Sequence, residues 1–266
     1  MDNLVLVKGA GEMASGAARR LRLAGFSVVM TELAEPLCVR RAVSFAECVY
    51  NAETIVEGVK AKYAADSGEI TSILDQGDIA VYVDPECDLL SKWKPSIVVD
   101  ARLAKRNLGT KSNEAKIVIG LGPGFVVGAD VHAVVETNRG HNLGRVYYSG
   151  SAEPNTGTPA PVCGITDKRV LRAPIDGIWQ SDLSIGSNIE TGQIVGYIGG
   201  NEVRAETSGI VRGLIHNATK VSRGMKTGDI DPRNQIEHCF TVSDKANAIA
   251  GGVMEAIMTL KLRRTT

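Results

Sequence analysis

The chain lacks an excess of either charge: Lys+Arg and Asp+Glu each number 30 among 266 residues, so the formal net charge is zero. A balanced chain does not offer the basic field that nucleic acid or an anionic membrane surface calls for. Neither partner is expected. Long apolar runs are also missing, each being interrupted well before the ~20 residues a membrane span requires. The first residues show no charged-then-apolar leader, so a cytoplasmic location is expected. The five cysteines (Cys38, Cys48, Cys87, Cys163, Cys239) are an odd number with no C-x-x-C spacing, which argues against a disulfide framework and a zinc knuckle. The four histidines (His132, His141, His216, His238) form no H-x-x-x-H or H-E-x-x-H pair. Asp130 and His132 fall on one face of a strand and could form one edge of a metal site, but a polar strand end explains them more simply. No structural metal is expected. No nucleophile sits in a G-x-S-x-G or comparable setting, and spacing reveals no base–nucleophile pair. Binding is better supported than catalysis.

What is present begins at Leu4. The apolar run Leu4-Val5-Leu6-Val7 leads into Gly9-Ala10-Gly11-Glu12-Met13-Ala14, which matches the G-x-G-x-x-G/A turn of a dinucleotide-binding βαβ unit. Met13, Ala17, Leu21 and Ala24 follow at helical spacing, and Gly25 stops the helix. A second apolar run, Phe26 to Met30, ends near Glu32, about 20 residues beyond the glycines. Gly9 permits a tight turn, Gly11 lets backbone approach a pyrophosphate, and Ala14 lets the helix pack closely on the strand. Amides at the helix start face the phosphates, and the Glu32 carboxylate suits a ribose hydroxyl. A glycine-rich strand-to-helix turn around an empty pocket is the plainer alternative.

Further strands are expected at Asp78–Asp84, Ser96–Asp100, Lys116–Leu121 and Val131–Glu136. Runs such as Ile79-Ala80-Val81-Tyr82-Val83 suit strands covered on both faces, as in a parallel sheet. Phe45 to Tyr50 and Thr54 to Lys62 look like two extra strands in place of a crossover helix, which leaves strand order open. A linker rich in proline, glycine and small polar residues runs from Ser149 to Pro161. Beyond it the chain repeats at an offset of 32 residues: Arg172-Ala173 recurs as Arg204-Ala205, Gly177-Ile178 as Gly209-Ile210, and Gly196 as Gly228. Two such halves are similar to the barrel-sandwich hybrid of biotinyl and lipoyl carrier domains, since neither half can bury its own apolar face. The hairpin that carries the modified lysine in those domains would fall at Ile198–Val203, where there is none. The last segment, Ser243 to Leu262, has the periodicity and capping residues of a helix that packs back on the first domain.

The expected fold class is therefore α/β. A Rossmann-like, mostly parallel sheet would cover residues 1–165, joined by helix 243–262, and a small all-β barrel-sandwich hybrid would cover residues 168–234. Two further stretches stand at strand C-termini, where such a sheet places ligands. Arg102, Lys105 and Arg106 supply cations suited to phosphates, with a solvated charged loop as the alternative. Gly120, Gly122 and Gly124 form a second turn that permits close backbone approach, or a bend required only by topology. Arg139 and His141 could bind anions, although a polar loop accounts for them.

Taken in order, GAGEMASG, VVDARLAKRNLG, IGLGPGF, DVHAVVETNRGHNLGRV, EPNTG and RAPIDG resemble the YqeB family of accessory proteins for selenium-dependent molybdenum hydroxylases. The likeness runs over nearly the whole chain. It implies a maturation factor with an XdhC-like Rossmann domain that binds molybdopterin dinucleotide and assists selenium or sulfur insertion. Its implied partners are a molybdenum hydroxylase subunit and selenium-delivery proteins, and a homo-oligomer stays open. The family supplies no catalytic residue to carry over. Atom transfer of this kind often runs through a thiolate, and Cys38, beside Arg40 and Arg41, comes nearest to an activated position. The alternative is an NAD-dependent oxidoreductase that uses Glu32 for the ribose and His132 or His141 as proton donor.

Overall fold

The computed structural model describes residues 3–263. The chain divides into two compact units, one made of residues up to 36, 44–156 and from 242 onward, the other of residues 37–43 and 157–241.

The first unit begins with β1 (Leu4–Lys8), α1 (Glu12–Leu23) and β2 (Ser27–Glu32). All five residues of β1 are buried, as expected of a strand with neighbours on both sides and covered faces. Helix α1 ends in a Schellman motif. Gly25 adopts φ +90 and donates to Arg22 O, while the Phe26 amide donates to Leu21 O; glycine is the residue that takes this turn without steric cost. After β2 the unit continues with α2 (Cys48–Asn51), β3 (Glu53–Val56), β4 (Val59–Ala64), α3 (Glu69–Asp75), β5 (Ile79–Val83) and α4 (Leu89–Trp93). Strands β6 (Ile97–Asp100), β7 (Ile117–Leu121), β8 (Ala133–Val135) and β9 (Val146–Tyr147) complete its sheet.

The sheet has nine strands in the order β3-β4-β5-β2-β1-β6-β7-β8-β9. Pairing is parallel from β4 to β8 and antiparallel at both edges, β3 with β4 and β8 with β9. This mixed sheet corrects the expected Rossmann-like fold class. The physical departure lies in the connections. Residues 101–116 and 122–132 hold no helix, so β6, β7 and β8 are joined by irregular loops rather than packed crossover helices. On the other side β4 enters the sheet from a hairpin whose turn, Glu57-Gly58, has positive φ at both residues, as a two-residue hairpin requires.

That hairpin also corrects the reading of Thr54–Lys62 as one strand. Phe45–Tyr50 is not a strand either, but a 3-10 turn followed by α2. The Phe45 amide donates to Ser15 Oγ and the Ala46 amide to Ala10 O. These backbone groups are satisfied by Ser15 of α1 and Ala10 of the first glycine turn and need no ladder.

The second unit holds β10 (Val170–Arg172), β11 (Gly177–Gln180), β12 (Asn188–Ile189), β13 (Ile194–Ile198), β14 (Asn201–Arg204), β15 (Gly209–Leu214), β16 (Lys220–Val221), β17 (Lys226–Asp231) and the short α5 (Glu237–Phe240). They form two four-stranded antiparallel sheets, β10-β17-β15-β12 and β14-β13-β11-β16, around Trp179, Leu171, Val195, Ile198, Val203, Val211 and Ile230. This corrects the expected lipoyl-like barrel-sandwich hybrid: β12 and β16, two residues each, pair only within their own sheets, so two separate sheets form. The repeat offset carries one sheet onto the other strand by strand, β14 onto β10, β13 onto β17, β11 onto β15 and β16 onto β12.

The chain returns to the first unit in α6 (Asp244–Leu262). Ser243 caps it, its Oγ accepting from the Ala246 amide, and Asp244 and Lys261 suit the two ends of its dipole. Helix α6 lies on α1 where both are small: a Cβ added to Gly16 would stand 3.0 Å from the Ala246 methyl. Gly252 is held tighter, since its added Cβ would collide with the Gly144 carbonyl oxygen and lie 2.7 Å from a Val135 methyl. Alanine is favoured over glycine within a helix by about 1 kcal/mol, but backbone overlap outweighs that. Gly252→Ala is expected to destabilise the first unit by about 1–3 kcal/mol; denaturant unfolding monitored by circular dichroism checks it, and a stabilised variant would contradict the packing described.

Candidate functional site

The three stretches singled out in the sequence follow β1, β6 and β7, which are neighbours in the sheet, and the structure brings their loops together. Gly9, with φ +92, sits against the backbone of the β6 loop: an added Cβ would lie 3.3 Å from Arg102 Cα and 3.4 Å from Ala101 O. Gly124, with φ +107, sits against the Arg106 backbone: an added Cβ would lie 2.5 Å from Arg106 Cα. Gly122, with φ +79, makes room for the Thr137 side chain, and Gly120 for the Phe125 ring. These glycines let loops approach one another. Gly11 is the N-cap of α1 in extended conformation, with no side-chain cap, and Ala14 is wholly buried in that helix.

Glu32 does not stand free for a ribose. One carboxylate oxygen accepts from the Ala10 amide and the other from the Leu33 amide, each at 2.8 Å. Burial raises its pKa against the pull of those two hydrogen bonds. The carboxylate fastens the first glycine turn to the end of β2.

The polar heart of this edge is a network the sequence did not reveal. Lys8, 3% exposed, ends β1. Its Nζ donates to Thr110 Oγ1 at 2.7 Å and to both Glu114 oxygens at 2.9 and 2.7 Å. Thr110 in turn donates to Asp100 Oδ2 at 2.7 Å, and Asp100 receives Nε and Nη2 of Arg102 at 3.1 and 2.6 Å. Burial opposes ionisation of Asp100, but the Arg102 guanidinium and the Thr110 hydroxyl outweigh it and hold the carboxyl below its ordinary range. A charge in the otherwise apolar run Leu4–Val7 signals a buried pair. Its partner, Glu114, is too far along the chain to be read from spacing.

Beyond Arg102 the loop carries positive φ at Leu103 (+53) and Lys105 (+62), a conformation that non-glycine residues hold only when their surroundings impose it. Lys105 and Arg106 are exposed, and among the described residues neither has a hydrogen-bond or ion-pair partner. Thus Arg102 belongs to the internal network, and Lys105 and Arg106 remain available.

Asp130 and His132 serve the backbone. The Val118 amide donates to His132 Nδ1 and the Val126 amide to Asp130. Arg139 makes two hydrogen bonds to Asp244. Among the described residues no group of three or more His, Cys, Asp or Glu is placed to hold a metal ion. Burial pushes the thiol of Cys48 up to about 12 and raises those of Cys87 and Cys239 as well. Cys38 is half-buried, and the adjacent Arg40 and Arg41 donate to the carbonyls of His238 and Leu214.

No protein-family model matches the chain. The protein YqeB of Escherichia coli (strain K12) is 49% identical over 257 residues, covering 97% of this chain. Over that span the chain is similar to YqeB. It covers 48% of YqeB's length, about half of the curated relative. Among solved structures it is similar to an aspartoacylase family protein from Mesorhizobium loti, at 12% identity over 85% of this chain and 84% of that one, with a TM-score of 0.29. The product-bound ectoine utilization protein EutE from Ruegeria pomeroyi is 9% identical over 85% of this chain and 56% of its own, with a TM-score of 0.24.

These findings correct the functional expectation. The similar structures bear the names of aspartoacylase, succinylglutamate desuccinylase and ectoine utilization proteins, not of molybdenum hydroxylase maturation factors or NAD-dependent oxidoreductases. Neither expected function stands. TM-scores of 0.24 to 0.29 assign no hydrolase activity in their place. The geometry also removes one support of the expected reading: Glu32 is engaged by the Ala10 and Leu33 amides.

Removing one member of a buried ion pair strands the other, at a cost of about 3–5 kcal/mol. Glu114→Ala should therefore destabilise the first unit by about that much in urea titration, and a change within error would exclude the Lys8 pair as a structural tie. The pH dependence has a definite sign. The folded pKa of Asp100 is depressed, so its stabilisation is present above the unfolded value of about 3.9 and is lost as pH falls through the folded value. Wild-type stability should drop more steeply on acidification than that of Asp100→Asn, as measured by urea midpoints across that window.

Proposed function

We propose that the first unit binds a small phosphate-bearing anion at the C-terminal edge of its sheet, beside the β6 loop. The single observation that carries this reading is the pair Lys105 and Arg106, exposed and without partners among the described residues, on a loop braced against the Gly124 turn. Long cationic side chains on a loop of this conformation are more prearranged than on a mobile one, so less entropy is lost when an anion is held. Arg106 offers a forked donor and Lys105 a point charge, a combination suited to phosphate oxygens. The position also agrees with the general placement of ligands outside the carboxyl ends of parallel strands, near the point where connections diverge from β1 to either side. The residues support binding and orientation, and no bond-making step is assigned to them.

Inorganic pyrophosphate is the direct probe. Molybdopterin dinucleotide and NAD contain the same group, and they test whether a larger molecule around it adds affinity. Calorimetric titration is expected to show saturable pyrophosphate binding that weakens with added salt. The double variant Lys105→Ala/Arg106→Ala should bind about 10- to 100-fold more weakly, at roughly 1.5–3 kcal/mol for a charged hydrogen-bonding group. No pyrophosphate binding, or equal binding by the double variant, would overturn the proposal.

A further inference from the structure

The internal repeat of the second unit makes its two halves comparable turn by turn, and one matched pair of turns differs in its side chains. After β12 the Gln193 amide donates to Glu190 O and the Gly192 amide to Ala205 O. At the repeat-equivalent positions after β16, the Met225 amide donates to Ser222 O and the Gly224 amide to Ala173 O. Gly192 and Gly224 take φ +87 and +83. A side-chain clamp recurs too: the Thr191 amide donates to Ser208 Oγ, and the Arg223 amide to Asp176 Oδ1. The backbone of the turn is the same in both halves.

The side chains around that backbone have diverged. On the outer faces Asp229 is buried between Arg169 and Arg212, whereas its repeat mate Tyr197 is 39% exposed. At the turns, Met225 packs on the unit's core. Its mate Gln193 is exposed and turns back on its own loop, where Oε1 accepts from the Glu190 amide at 2.6 Å. Beside Gln193 lies a concavity of about 460 Å³, lined also by Asn188, Ile189, Glu190, Ser208 and Asn234. That volume suits a small molecule. The Glu190 carboxylate and the Asn188 and Asn234 carboxamides have no hydrogen-bond or ion-pair partner among the described residues. Their repeat mates are Ser222, Lys220 and Glu202, so this set of one acid and two carboxamides belongs to one half alone.

Chemistry narrows what such a set can hold. An ionised Glu190 only accepts, and each carboxamide both donates and accepts. A phosphate or carboxylate ligand would bring like charge to Glu190. A simple ammonium would satisfy Glu190 but give the carboxamide N–H groups no acceptor. Hydroxyl groups donate and accept at once, and two on adjacent carbons match the two oxygens of one carboxylate. Ile189, buried in the wall, offers apolar contact to C–H surface.

We propose that this concavity binds a small polyhydroxylated molecule of the monosaccharide or disaccharide class. It shares no residue with the anion site of the first unit. Saturation-transfer NMR with D-glucose and with maltose tests this on the full chain. The wild type is expected to show saturable transfer to at least one of the two sugars. Glu190→Gln should weaken binding by about tenfold, since hydrogen bonds to a charged acceptor are the stronger ones. Asn234→Ala should weaken it several-fold. Ser222→Ala, at the repeat mate of Glu190, should leave it unchanged and thereby places the site in one half. Unchanged thermal melts in circular dichroism confirm that these exposed substitutions leave the fold intact. Sugar binding with that order of variants supports the proposal. Any other pattern overturns it, including no transfer to either sugar or binding of spermidine in their place.

Discussion

The first unit depends on the counter-charge of one lysine. Lys8 stands at the end of the central strand β1, with β2 on one side and β6 on the other, and is nearly removed from water. An ammonium there is tolerable only if carboxylate and hydroxyl groups close around it. Glu114 and Thr110 do so, and both come from the helix-free connection between β6 and β7. That loop has no regular hydrogen-bond ladder of its own, so its course is set by where Lys8 and Asp100 hold it. Its approach to β1 then requires glycine at position 9. The same loop leaves Lys105 and Arg106 exposed, and the anion-binding reading therefore rests on a structural ion pair that touches no ligand.

In the second unit the constraint is duplication. Two halves, each too small to bury its own apolar face, share one core, and the positions that fill it keep their character through the repeat: Trp179 and Val211, Ile198 and Ile230, Leu171 and Val203. Gly196 and Gly228 recur for a steric reason, because a side chain at the first would overlap the Trp179 ring and at the second the Leu171 side chain. Outward positions carry no such obligation. They have diverged into a buried charge cluster on one sheet and an exposed aromatic surface on the other.

Much of the first unit was legible one strand at a time. Continuous apolar runs placed β1, β2, β5, β6 and β7 within a residue or two, and periodicity with a serine cap placed α6. These signals are local: burial on both faces removes alternation, and a helix buries one stripe. Phe45–Tyr50 failed on the same criterion, since a short apolar run reads alike in a strand and in a helical turn. Its backbone finds partners on Ser15 of α1 and Ala10 of the first glycine turn, which no local pattern records. The glycines were read for a ligand, yet Gly9, Gly120, Gly122 and Gly124 chiefly admit the chain's own atoms. Both uses demand the same residue, so composition could not separate them.

By itself the sequence determined where the chain turns, which runs are buried, that the second half is a duplicated β structure, and kinship with YqeB over its matched span. Tertiary structure alone decided which strands became neighbours, that the sheet is mixed, and that its late connections lack helices. It also decided which charges are spent. Glu32 and Arg102, both plausible ligand contacts by position, are engaged within the protein, whereas Lys105 and Arg106 are not. The physical reason is range. Periodicity, capping and turn chemistry act between residues a few positions apart, whereas the pairing of Lys8 with Glu114 joins groups that only the completed fold brings within 3 Å of each other.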